Sequence, residues 1–123
     1  MPQKIALVGH CGPDSHMLRS AVKFAVKGSE IAMITDDNAL TALLSQGPAL
    51  LLVNRQLDGN FDVYEGVDLI RRLHESHPDL PMMLISNFPE SQQAAEAAGA
   101  RPGFGKREIG SAKMRDALSG ALV

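Results

Sequence analysis

The 123-residue chain has a single cysteine, Cys11, so no disulfide can form within it. A lone thiol suits a reducing compartment. No apolar run is long enough to span a bilayer, and the run at residues 5–8 is too short for the core of a secretion signal. The expectation is a soluble, cytoplasmic protein with no membrane partner. Neither sign of charge is in excess: 12 Lys and Arg against 14 Asp and Glu leave a net charge of -2. That balance gives no electrostatic reason to expect nucleic acid as a partner. The chain shows no internal repeat, low-complexity tract or linker, and its length suits one domain over 1–123. With 45% hydrophobic and 21% charged residues, it reads as globular and not disordered.

Short apolar runs alternate with longer segments of helical spacing. The runs lie at 4–9, 30–35, 49–54, 81–86 and, more weakly, 102–106. Each lacks a polar face, as a strand does when helices cover both sides of its sheet. Between them, Met17, Leu18, Ala21, Val22, Ala25 and Val26 recur at steps of three and four. Asp14 or Ser15 is the expected cap of that helix and Gly28 its end. Thr35 or Asp36 caps the second helix, and Gly47-Pro48 stops it. Val67, Leu69, Ile70 and Leu73 form the inward stripe of the third. The fourth, ESQQAAEAA, closes at Gly99, and the last runs from about Ser111 with Met114, Leu118 and Leu122 on one side. Five strands alternating with five helices predict an α/β fold. It is a three-layer, flavodoxin-like domain whose five-stranded parallel sheet has the order 2-1-3-4-5. The irregular stretch 55–65 is longer than a usual strand-to-helix connection.

In such a sheet, ligands and chemistry gather just past the carboxyl ends of the strands. The residues there are His10, Cys11, Asn54, Ser86 and Lys106. With "LLVN", "LISNF", "GFGKRE", "GVDLIRRL" and "AEAAGARPGF", the sequence resembles the receiver domain of two-component response regulators along essentially its whole length. Ser86 falls at the family's hydroxyl position and Lys106 at its lysine position, though Arg107 replaces the usual Pro. Pro13 fits the Pro that often follows the family's acids. The departures are at the centre. Asn54 stands where the resemblance implies a phosphorylated Asp, and His10 and Cys11 stand where it implies metal-binding acids. The loop after Asn54 is also longer than the family norm.

Acyl phosphate formation needs a carboxylate nucleophile, and magnesium wants hard oxygen ligands. Asn54 supplies no charge, and His10 and Cys11 are softer donors. Ordinary phosphotransfer is therefore expected to be absent: a pseudo-receiver, with no metal, no cofactor and no catalytic residue. Lys106 would take its partner from the Asn54 carbonyl, Ser86 or the loop acids Asp58 and Asp62. His10 and Cys11 match no standard zinc spacing and read as filling a vacated pocket. Asp14 and His16 form an Asp-x-His pair like that of cobalamin-binding domains, but Arg19 breaks that motif, and a helix cap explains them.

Three function classes follow. The first is a phosphorylation-independent signalling module that binds a protein partner in a two-component or phosphorelay-type pathway. The resemblance implies a face built by the fourth helix, fifth strand and fifth helix: Gln92, Gln93, Glu96, Phe104, Arg107 and Glu108. Phe104 sits near the family's switch aromatic. Receivers often dimerise, and no residue decides whether this chain forms a homodimer. The second is a small-anion, metal or redox sensor around His10, Cys11 and Lys106. The third is an enzyme, which the sequence disfavours because no nucleophile–base pair has convincing spacing. No effector domain fits within 123 residues, so the chain reads as a stand-alone protein or an excised domain.

Overall fold

The strands pack side chains of opposite parity on opposite faces of one sheet, and this alternation organises the domain. The structure, a computed structural model, describes residues 3–122; residues 1, 2 and 123 of the expected domain lie outside the described residues. The strands are β1 (Lys4–Val8), β2 (Glu30–Ile34), β3 (Leu50–Asn54), β4 (Met82–Ile85) and β5 (Arg101–Phe104). The helices are α1 (Gly12–Ala25), α2 (Asp37–Leu44), α3 (Gly66–Ser76), α4 (Pro89–Ala97) and α5 (Ala112–Leu122). The order is β2-β1-β3-β4-β5, with every pairing parallel, as the sequence predicts.

Ile5, Leu7, Leu50, Leu52, Met83 and Ile85 face one layer, where Leu18 and Val22 of α1 and Met114 and Leu118 of α5 cover them. Ala6, Val8, Leu51, Val53, Met82 and Leu84 face the other, under Leu40 and Leu43 of α2 and Leu69, Ile70 and Leu73 of α3. The central strands are thus apolar on both sides, which is why their sequences show no polar alternation. Of the expected inward stripe of α3, Leu69, Ile70 and Leu73 are buried, while Val67 packs half-buried at the margin. In α5 the expected Met114 and Leu118 are buried, and Ala121 joins them.

Two boundaries differ from the sequence reading, those of α1 and β5, while α2 keeps one of its two expected caps. The cap of α1 is Cys11, not Asp14 or Ser15; Pro13 is suited to the first helical turn, so the helix begins ahead of it and Asp14 falls inside. The cap of α2 is Asp36, whose carboxylate accepts the Ala39 N–H at 2.7 Å. The fifth strand ends at Phe104 instead of 106, and Lys106–Glu108 forms a 3-10 turn. Glu108 explains that break, since its side chain accepts the Gly105 N–H at 2.7 Å.

The stretch 55–65 is an ordered flap. Its two arms meet where Leu57 N–H donates to Tyr64 O at 2.9 Å. Its tip lies against the end of β2: Asn60 N–H donates to Thr35 O at 2.8 Å, and Asp37 N–H donates to Asn60 O at 3.1 Å. Leu57 is buried against the core. The extra residues therefore cap one end of the sheet and do not hang free.

Candidate functional site

The cleft at the carboxyl ends of β1, β3, β4 and β5 holds about 250 Å³, lined by Cys11, Asp14, Asn54, Ser86 and Lys106 among others. Its shape begins at Gly9, whose φ of 73° is readily adopted only by glycine. A Cβ there would also run into Leu57 of the flap. The turn at Gly9 sends His10 inward and leaves Cys11 at the helix start.

Asn54 is almost fully buried, at 7% exposure. Its Nδ2 donates to Gly9 O at 3.0 Å and to Gln56 O at 2.7 Å. The amide thus ties the end of β1 to the root of the flap. An aspartate has no N–H for either carbonyl, so the substitution from acid to amide changes what this position can hold together, beyond removing a nucleophile. Asn54 Oδ1 is buried without a hydrogen-bond partner among the described residues.

His10 belongs to the floor of this region and not to the lining of the cleft, contrary to expectation. Its Nε2 lies 2.9 Å from Leu52 O; since a carbonyl only accepts, Nε2 carries the proton. Burial pulls the ring's pKa down to about 4, against the opposing hydrogen bond to Leu52 O. The ring is neutral at physiological pH, and its Nδ1 is buried without a hydrogen-bond partner among the described residues.

At the rim, Lys106 Nζ donates to Asp14 Oδ2 at 2.7 Å. None of the expected partners takes this place: Asp58 and Asp62 lie in the flap, where Asp58 N–H donates to Gly9 O at 2.9 Å and Asp62 N–H to Asp37 Oδ2 at 2.7 Å. The hydrogen bond from Lys106, followed by that from Cys11, holds the Asp14 carboxyl below its usual range. The cleft has therefore not lost every acid. Among the described residues Asp14 is the one carboxylate lining it, displaced from the strand end into the first turn of α1. Pro13 was the available signal, since a helix starting before it puts Asp14 at the same end of the sheet as Lys106. Arg55 and Phe88 also line the cleft, with the guanidinium 4.8 Å from the ring centroid. Ser86 is buried, and its Oγ accepts the Phe88 N–H at 3.1 Å.

The expected partner face divides. Gln93, Glu96 and Arg107 are exposed. Phe104 is 1% exposed, in the core beneath α5, and offers no surface to a partner. Gln92 turns inward, its Nε2 donating to Leu84 O at 2.8 Å and Ser86 O at 3.1 Å. Glu108 is held by the Gly105 N–H and by Lys113 at 3.2 Å, and its carboxyl lies below the usual range for the first of those reasons. These three residues stabilise the β4–β5 end of the sheet.

No family model and no curated protein matches the chain. Solved structures do. NtrX from Brucella abortus is 24% identical with a TM-score of 0.81, over 99% of this chain and 27% of that one. The receiver domain of that NtrX is 24% identical with a TM-score of 0.75, over 98% of both chains. A response regulator from Thermotoga maritima is 18% identical with a TM-score of 0.77, over 99% of this chain and 98% of that one. The fold is the flavodoxin-like receiver fold of these response regulators. This chain spans about a quarter of the length of the first of these NtrX chains. Among the described residues, no helix is long and apolar enough to cross a membrane.

Proposed function

We propose that this chain is a two-component-type signalling module that works without phosphorylation, by binding a protein partner, and that it has no catalytic activity of its own. The observation that carries this reading is Asn54: its amide is bonded to Gly9 O and Gln56 O, so the position has a structural task that a phospho-accepting Asp cannot perform. The rim supports the same reading. Lys106, the cation that an incoming phosphoryl group would need, already has an anionic partner in Asp14. The sensor reading ranks second. Cys11 does line the cleft, but an anion would first have to displace Asp14 from Lys106.

Incubation with acetyl phosphate and magnesium, followed by intact-protein mass spectrometry, tests the proposal. The wild type should gain no adduct. A gain of roughly 80 Da, the mass of a phosphoryl group, would overturn it, and peptide mapping would then place the group on Asp14 or Asp58. An adduct found only on Asn54→Asp would support the proposal and identify Asn54 as the residue that silences the cleft.

A further inference from the structure

Among the described residues, the cleft at the carboxyl ends of the strands is lined by one anion, Asp14, and two cations, Lys106 and Arg55. Asp14 and Lys106 are paired, while Arg55 makes no ion pair among the described residues. We propose that this cleft binds an acidic α-amino acid, with its ammonium on Asp14, one carboxylate on Lys106 and the other on Arg55. The proposal goes beyond the signalling-module reading: it gives that module a small-molecule ligand, and it requires neither phosphorylation nor an identified partner.

Exchange at the rim is the first argument. Lys106 Nζ, a primary ammonium, already sits 2.7 Å from Asp14 Oδ2. A ligand ammonium in its place meets the same carboxylate, and a ligand carboxylate meets Lys106 where Asp14 stood. Every charge keeps an opposite partner, and one ion pair becomes two. A lone anion gains Lys106 only by stranding Asp14, and a lone cation gains Asp14 only by stranding Lys106. Both side chains are partly exposed, so opening the pair costs little. Size is the second argument. The volume of about 250 Å³ lies below the range of about 300–1,000 Å³ that holds drug-sized ligands, which favours a small metabolite.

Charge balance selects the second carboxylate. Asp14 and Lys106 cancel, so Arg55 leaves the lining with a single net positive charge. A ligand with one more carboxylate than ammonium neutralises it. The Arg55 guanidinium lies 4.8 Å from the Phe88 ring centroid. Stacking of this kind leaves the planar edge of the guanidinium free for two parallel N–H bonds to a carboxylate. Asn54 adds a further point. It lines the cleft at 7% exposure, and its Oδ1 has no hydrogen-bond partner among the described residues. An ammonium carries three N–H donors, so one remains for that acceptor after Asp14 is served. Arg55 and Gln56 line the cleft at the root of the flap, so the ligand also touches the segment that caps the end of β2.

The test titrates the wild type with L-aspartate, with succinate, which lacks the ammonium, and with L-asparagine, which lacks the second carboxylate. Amide chemical shifts of isotope-labelled protein locate the binding, and the melting temperature reports it separately, because a ligand of the folded state raises it. L-Aspartate should move the signals of residues 11–14, 54–56 and 106 and raise the melting temperature. Each analogue should bind roughly tenfold more weakly, having lost one charge pair. Asp14→Asn should remove the preference over succinate, and Arg55→Gln the preference over L-asparagine; thermal melts confirm that the variants fold, and the analogue series on the wild type decides the matter if one does not. No binding of L-aspartate, equal binding of either analogue or of inorganic phosphate, or shifts confined to other surfaces would overturn the proposal. So would a preference that survives the loss of the residue assigned to it. Failure here with no phosphoryl adduct on the wild type would remove the ligand and leave the signalling-module reading intact.

Discussion

The floor and the rim of the cleft are built on different physics. On the floor, His10 and Asn54 are 5% and 7% exposed, and each hydrogen-bonds to backbone carbonyls. At the rim, the side chains of Lys106 and Asp14 remain 37% and 34% exposed, and they bond to each other. A neutral donor aimed at a buried carbonyl satisfies a group that water cannot reach, so removing it is costly. An ion pair at a water-facing rim gains little, because water and salt already screen both charges. The floor should therefore govern stability, and the rim should be the part that can rearrange.

The sharpest way to break this comparison is Asn54→Asp. The new carboxylate would face Gly9 O and Gln56 O with no cation bonded to it. The expected loss is about 3–5 kcal/mol at neutral pH, the range for an uncompensated buried charge, measured by urea unfolding. Burial and the two carbonyls raise the carboxyl's folded-state pKa above the unfolded value. Stability of the variant relative to wild type should then recover as pH falls, because the protonated form is neutral and can donate. A variant as stable as wild type at neutral pH would show that the floor tolerates charge.

The next test is the pH dependence of His10. Its pKa falls from 6.5 to about 4 on folding, so the unfolded chain takes up the proton first. Stability is complete above pH 6.5 and declines as pH drops towards 4, by about 3 kcal/mol in all from a shift of this size. His10→Gln keeps a side-chain N–H for Leu52 O and should flatten the curve within that window. Asp14 and Glu108, whose carboxyls are lowered, act at lower pH: their contribution disappears as pH falls below the unfolded carboxylate range. A wild-type curve that is flat from 6.5 to 4 would mean that His10 is hydrated.

Gly9→Ala probes the turn that creates the floor. Alanine at a φ of 73° would be strained and would press on Leu57. The expected cost is about 2 kcal/mol, within the range for a non-glycine residue in the left-handed region. Calorimetric melting reads it, and protection of the Asp58 amide, which donates to Gly9 O, should fall with it in hydrogen exchange. Unchanged protection would show that the flap is held mainly by the end of β2.

The floor and the rim were not equally legible in the sequence. The strands were, because burial on two faces leaves an apolar run that needs no partner to be recognised. Asn54 and Ser86 fall at strand ends as the apolar runs predict, whereas Lys106 lies two residues beyond β5, in the 3-10 turn. The role of Asn54 was not visible, since it depends on Gly9 O, 45 residues away. Nor was the pairing of Lys106 with Asp14, across 92 residues: a local reading gives Asp14 the nearer task of a helix cap. Gln92 and Phe104 were placed on a partner face by the resemblance, not by any signal in their own residues. Their inward turn follows from β4 and β5 meeting below them, which only the assembled sheet decides.

The smallest expected effect is the one that separates rim from floor most cleanly. In a double-mutant cycle of Asp14→Asn and Lys106→Met, the coupling should stay below about 1 kcal/mol and shrink with added salt, as for exposed pairs. The 2.7 Å contact does not argue otherwise. A short distance reports geometry, whereas the net energy is what remains after two charges give up part of their hydration and two long side chains give up rotamers. A small coupling means that Lys106 can leave Asp14 at little cost, so the rim can answer a partner or an anion while the floor stays fixed. A coupling as large as the loss at Asn54 would erase the distinction. Lys106 would then be a structural residue like Asn54, and the cleft would be rigid from floor to rim.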